Sequence, residues 1–194
     1  MAPAMLALLD LTADFIRDFQ QEKVRRNAAD FSDQEHYAVD LLVSADGSPT
    51  DLARQISQQY LEIMVDEYQD TNDVQNCIFD AISRKGENLF TVGDIKQSIY
   101  RFRLAQPEIF LEKYLRYCHA DSAAPGQARK ILLKRNFRSR PEVLEATNFI
   151  FRNILSRQMG EMEYGPEEQL YPGADSYLPA PGRETELHLV SVEN

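Results

Sequence analysis

LEIMVDEYQDTN, residues 61–72, is the stretch on which the reading of this chain turns. Its first five residues are an apolar, β-prone run that stops abruptly at Asp66-Glu67. Short apolar runs bounded by polar residues read as buried strands. The pattern returns in LFTVG (89–93), which leads into Asp94, and in KILL (130–133); a fourth run, LHLV, occupies 187–190. Helical segments are expected between the runs, near 72–84, 107–119 and 140–156. Strands alternating with helices predict an α/β fold with a parallel sheet flanked by helices. Ligands of such sheets gather beyond the carboxyl ends of the strands. Polar clusters follow three of the runs there: Asp66-Glu67, Gly93-Asp94 with Gln97, and Asn136-Phe137-Arg138.

Upstream, residues 4–27 read as a helix, with Leu8, Leu11, Phe15 and Phe19 at helical spacing. A second helix is expected to open at Ser32, which has capping-box spacing to Glu35. SADGSPT (44–50) is turn material, followed by a helix near 51–60. Residues 160–183, rich in Gly, Pro and acids, read as a long connection. With 43% apolar residues among 194 a sizeable core can form, and 27% charge is ordinary for a soluble protein. Cys77 and Cys118 lack CxxC spacing, which removes a zinc signature and a disulfide framework and suits a reducing compartment. The first residues have no basic segment, and Asp10 and Asp14 interrupt the apolar run. Neither a signal peptide nor a membrane span is expected, so the chain reads as soluble and cytoplasmic.

A net charge of −10 runs against binding nucleic acid, whose phosphates need Lys and Arg. Its distribution reverses that. Residues 96–140 hold eleven Lys and Arg against three Asp and Glu, a local +8 that leaves −18 for the rest. Such asymmetry marks either a partner surface or a solvated charged face.

Three constellations carry chemistry. A carboxylate at a strand end can hold Mg²⁺ together with phosphate oxygens, and an adjacent one can take a proton from a water attacking phosphate. Asp66 suits the metal role and Glu67 the base; the bland alternative is that the pair ends a strand and caps the next helix. In TVGDIKQSIYRFR (91–103), Gly93 relaxes a turn and Gln97 can reach a terminal phosphate. Tyr100 and Phe102 alternate with Arg101 and Arg103, a pairing of base-stacking and phosphate-binding groups that suits single-stranded DNA. The alternative has Ile99, Tyr100 and Phe102 in the core with the arginines snorkelling outward. NFRSRP (136–141) offers Arg138 for a transferring phosphoryl group and Pro141 for a first helical turn, although taken alone the string reads more readily as a helix cap or a surface turn.

In this order, the three strings resemble the motor motifs of superfamily 1 DNA helicases of the UvrD/PcrA type. DEYQDTNDVQ, VGDIKQSIYRFRLAQPEIFLEKY, NFRSRPEVLEATNFIF with the later GEMEY, and DFSDQEHYAVDLL are more narrowly similar to the AddA (RexA) family of helicase–nuclease subunits. The resemblance implies a partial RecA-like (P-loop NTPase) sheet, with 1–129 the latter part of a first motor domain and 130–194 the start of a second. It implies Asp66 as Mg²⁺ ligand, Glu67 as activator of water and Gln97 as γ-phosphate sensor. Phe137 would stack on adenine, and Arg138 would contact the γ-phosphate. Tyr100, Phe102 (where many relatives place Trp) and Arg103 would line the single-stranded DNA track. ATP and Mg²⁺ are the implied cofactors. The implied partners are single- and double-stranded DNA and an AddB/RexB-type subunit, in double-strand-break repair and recombination.

No GxxxxGK[ST] phosphate-cradling loop occurs in the sequence. The chain is therefore expected to be an internal segment, inactive alone and prone to self-association through uncovered apolar edges. Three readings compete with the motor. One is a non-catalytic module that binds single-stranded DNA without ATP, another a scaffold, and the third a metal-dependent nuclease using Asp94-Ile95-Lys96.

Overall fold

The computed structural model describes residues 2–160, 162–177, 182, 184–188 and 190–191. They fall into two compact units, Met1–Arg116 and Tyr117–Asn194.

The first unit opens with α1 (Ala2–Arg26), α2 (Phe31–Leu42) and α3 (Asp51–Ser57). Helix α2 is capped by Asp30 and Asp33 rather than by the expected Ser32 and Glu35. The Asp30 carboxylate accepts from Asp33 N at 2.8 Å, and Asp33 Oδ2 accepts from Asp30 N at 2.9 Å. Lys23, at the end of α1, decides the matter by donating to both carboxylates, at 3.1 and 2.7 Å. Neutral Ser32 could not recruit that ammonium.

Strand β1 (Ile63–Val65), helix α4 (Asp73–Ile82) and strand β2 (Leu89–Thr91) follow as a parallel crossover unit, with Ile63 opposite Leu89 and Val65 opposite Thr91. Parallel neighbours need such a crossover, because a tight turn can only reverse the chain. Asn72 caps α4 in a reciprocal box with Gln75, whose Nε2 also donates to Glu35 on α2 at 2.8 Å. Ala81 on α4 packs with Leu42 and Ala53 from α2 and α3, bordered by Ile56, Ile78 and Ile82. Helix α4 thus covers its apolar stripe with the two preceding helices.

The Met64–Phe90 pair of the strands points to the other side and is 70% and 52% exposed. Along α1, Leu6, Leu11 and Phe15 are likewise exposed. Helix α5 (Pro107–Arg116) closes the unit, shorter than the expected 107–119 because Cys118 pairs as a strand.

In the second unit β3 (Cys118–His119) pairs in parallel with β4 (Arg129–Lys130), and β5 (Arg135–Asn136) with β6 (Tyr171–Pro172). Helix α6 (Pro141–Ile154) and the short α7 (Arg157–Gly160) lie between. The fold is α/β and its strands pair in parallel, as expected. They join two by two, not in one continuous sheet.

Of the expected strand 130–133 only Lys130 is paired, in β4; beyond it Ile131 and Leu133 are exposed and outside any strand. At 187–190, Leu187, His188 and Val190 form no strand, and Leu189 lies outside the described residues. A β-prone run becomes a strand only beside a neighbour with free backbone groups, which its own sequence cannot specify. Among the described residues no helix is long and apolar enough to cross a membrane.

Candidate functional site

Asp66 and Glu67 emerge at the carboxyl end of β1, both exposed. Asp66 Oδ1 accepts from Glu67 N at 2.9 Å. Glu67 itself turns into the left-handed region (φ 49°, ψ 41°), which costs an L-residue about 1–2 kcal/mol. That turn lets the chain leave the strand at once and enter the 3₁₀ turn Tyr68–Asp70.

Two buried side chains fix the turn. Tyr68 has no exposed surface; its ring meets Phe110 edge-on at 5.7 Å and Phe79 at 6.3 Å, and its hydroxyl donates to Asn76. Gln69 is also buried, 1% exposed. Its Nε2 donates to Glu67 Oε2 at 2.7 Å, and its Oε1 accepts from Asp94 N at 2.9 Å. The polar cluster after β1 is thereby joined to the one after β2. Gly93 is what permits the approach: a Cβ there would lie 2.5 Å from Gln69 Oε1 and 2.9 Å from Phe110 Cε1. The backbone reinforces the join, since Tyr68 N donates to Val92 O and Val92 N to Val65 O, each at 2.8 Å.

Asp94 is fully engaged in its own turn. Lys96 Nζ pairs with Oδ1 at 2.8 Å, and Gln97 Nε2 donates to Oδ2 at 3.0 Å. That leaves the Asp94-Ile95-Lys96 string poorly suited to a metal-dependent nuclease. Asp70 Oδ1 is buried without a hydrogen-bond partner, and burial, aided by the charge of Glu67, raises the carboxyl above its usual value.

Among the described residues no group of three His, Cys, Asp or Glu could hold a metal. Asp66 Oδ2 and Glu67 Oε1 have no hydrogen-bond partner there. One or two free carboxylate oxygens fit Mg²⁺ shared with phosphate, which keeps most of its shell as water and phosphate oxygen, better than a protein cage.

Beyond Gln97, Tyr100 and Phe102 form a tilted pair with centroids 5.9 Å apart. The Arg103 guanidinium lies over both rings, 5.1 and 5.5 Å from their centroids. Arg101 turns away to Glu108 at 2.7 Å. Ile99 is 68% and Phe102 75% exposed, so the alternative of core packing fails for them. Leu104 ends this turn in the left-handed region (φ 68°), and Gln106 ties the following chain back to α4: its Oε1 accepts from Asp73 N at 2.6 Å and its Nε2 donates to Asp73 at 2.7 Å. Asp66 and Glu67 thus follow the end of β1, and Gln97 and the aromatic–arginine cluster follow the end of the adjacent β2.

In the second unit, Asn136 Oδ1 accepts from Arg138 N at 3.0 Å and Ser139 N at 2.8 Å, turning the chain out of β5 into α6. Phe137 is 66% exposed with one ring edge against Gly173, where a Cβ would come within 2.8 Å. The Arg138 side chain is exposed, while its carbonyl accepts from the Tyr177 hydroxyl. Asn148 on α6 fastens the later connection. Its Oδ1 accepts from Tyr164 OH at 2.6 Å and Leu170 N at 3.1 Å, and its Nδ2 donates to Leu170 O at 2.8 Å.

Sequence reasoning gave no role to Tyr68, Gln69 or Asn148. Gln69 stands between Tyr68 and Asp70 in a polar string, and a polar side chain there reads as solvent-facing until a partner is seen.

Residues 6–118 match the model of the UvrD/REP helicase N-terminal domain, and the chain belongs to that family. Over 177 residues, 90% of its length, it is 48% identical to an ATP-dependent helicase/nuclease subunit from Staphylococcus carnosus. It is also 49% identical over 88% of its length to the protein of that name from Lachnoclostridium phytofermentans, and 45% over 97% to that from Clostridium kluyveri. The chain spans 14%, 12% and 16% of these three relatives.

Proposed function

We propose that this chain supplies the hydrolysis carboxylates and the leading part of the DNA track of an ATP-driven DNA helicase. The observation that carries the reading is the joining of two strand-end clusters through Gln69, which places Glu67 beside the turn that bears Gln97. Glu67 Oε1 has lone pairs free to accept a proton from a water attacking the terminal phosphoryl, while Gln69 holds Oε2. Asp66 Oδ2 is the ligand offered to Mg²⁺. The ion, when bound with ATP, neutralises charge developing on the phosphoryl oxygens. Gln97 gives one Nε2 hydrogen to Asp94 here and has a second to offer a phosphate, so a phosphate that draws on this amide can report nucleotide state to the Tyr100–Phe102–Arg103 turn three residues on. Phe137, exposed beside Gly173, suits stacking on adenine, and Arg138 suits a γ-phosphate contact.

On this reading residues 1–129 belong to a first RecA-like domain and 130–194 open a second. The exposed Met64 and Phe90 are then covered by further sheet, by a helicase–nuclease partner of the AddB/RexB type, or by self-association. Strand separation in double-strand-break repair and recombination, in the cytoplasm, is the corresponding biological setting. These 194 residues contain no phosphate-cradling loop, so the chain alone is expected not to turn over ATP. A second reading, a nucleotide-independent single-stranded DNA binder, is favoured by the exposed Tyr100–Phe102–Arg103 cluster.

ATP hydrolysis with and without single-stranded DNA separates the two, measured on this chain and on one joined to an upstream phosphate-loop segment. Hydrolysis that appears only in the joined chain and rises with DNA supports the motor. Salt-sensitive DNA binding with no hydrolysis in either chain supports the binder.

A further inference from the structure

We infer that Gln69 is a positioning residue for ATP hydrolysis, holding the Glu67 carboxylate in register with the Gly93-Asp94 turn. The inference rests on the proposed motor reading and adds a residue to it. Four observations support it. Gln69 is 1% exposed in a chain whose other site residues are mostly exposed, so its amide is sequestered from water. Both ends of that amide are used, the donor on Glu67 Oε2 and the acceptor on Asp94 N, and Gln is the side chain of this length that can donate at one end and accept at the other. Glu67 sits in a left-handed conformation that an L-residue keeps only when its surroundings hold it there. Finally, Gly93 leaves no room for a Cβ beside Gln69 Oε1, so the two clusters meet at close range.

The donor bond fixes which Glu67 oxygen is occupied and leaves the other to face an attacking water. The acceptor bond fixes where the Gln97-bearing turn starts. A side chain that lost the donor bond would leave Asp66 in place but let the base wander. Rate depends on placement of the base within a fraction of an ångström, whereas nucleotide affinity does not.

The test uses the full motor protein that carries this chain, with wild type and Glu67→Gln as references for the motor reading itself. Gln69→Met keeps the shape and loses both bonds. Gln69→Glu keeps the acceptor for Asp94 N and sets a second carboxylate against Glu67. In Gln69→Met kcat is expected to fall roughly ten- to a hundredfold, the loss of one hydrogen bond to a charged group, with KM for MgATP within about twofold. Gln69→Glu should fall further; because it retains the Asp94 bond, it carries the test alone if the Met variant does not fold. In the Glu67→Gln background, single-turnover hydrolysis should not slow further on adding Gln69→Met, as expected of a residue acting through Glu67. The inference is overturned if kcat stays within about twofold of wild type, if KM rises as kcat falls, or if the two substitutions multiply. A wild-type protein without ATPase activity, or a Glu67→Gln variant as fast as wild type, would instead overturn the motor reading.

Discussion

Gly93→Ala is the most direct probe of the geometry that joins the two strand-end clusters. The added methyl would sit 2.5 Å from Gln69 Oε1, 2.9 Å from Phe110 Cε1 and 3.2 Å from Gln69 N. Carbon contacts are comfortable near 3.5–4.0 Å, so neighbours on two sides would have to retreat by about 1 Å. Neither is free to do so. The Gln69 amide is tied at both ends, and the Phe110 ring is wedged against Tyr68. Overpacking of this kind costs about 1–3 kcal/mol. Displacing Oε1 from Asp94 N adds about 1 kcal/mol, giving roughly 2–4 kcal/mol in total. Urea unfolding followed by circular dichroism measures it as a lower midpoint at unchanged slope. A loss below about 0.5 kcal/mol, the size of an ordinary surface substitution, would refute the close-packed contact.

Other perturbations probe different parts of the chain. Asn148→Ala removes three hydrogen bonds that pin Tyr164 and Leu170 to α6. At about 1 kcal/mol each, a loss of roughly 3 kcal/mol is expected, read as increased thermal lability of the second unit. Phe102→Ala should weaken binding to a labelled oligo-dT by about 1–3 kcal/mol, or about 5- to 150-fold, in fluorescence anisotropy. Its salt dependence should not change, because no cation facing phosphate is lost.

The strand ends and their acids were legible because a burial pattern stopped at charges, and that contrast is local in sequence. The crossover helix was legible because a helical segment was expected near 72–84 between two apolar runs, and α4 fills it at Asp73–Ile82. What escaped depends on partners distant in the chain. Ser32 lost the cap of α2 to Asp30 because Lys23, on another helix, favours a carboxylate. KILL and LHLV promised strands, but a strand needs a neighbour with unpaired backbone groups, and among the described residues of the two runs only Lys130 found one. Gln69 and Asn148 are polar residues with no periodicity to betray them; only folding shows that each serves two or three polar groups at once.

Glu67→Gln in the chain joined to its phosphate-loop segment tests the proposed role of the strand-end acids most directly, with nucleotide binding and turnover measured side by side. Gln keeps the size of the side chain and an oxygen for Gln69, but it cannot take a proton from water. ATP binding should stay within a few-fold of wild type while DNA-stimulated hydrolysis falls by about 10²–10⁴, the usual contribution of a positioned general base. Turnover equal to wild type would contradict the assignment of Glu67 and, with it, the reading of this strand end as a hydrolysis site.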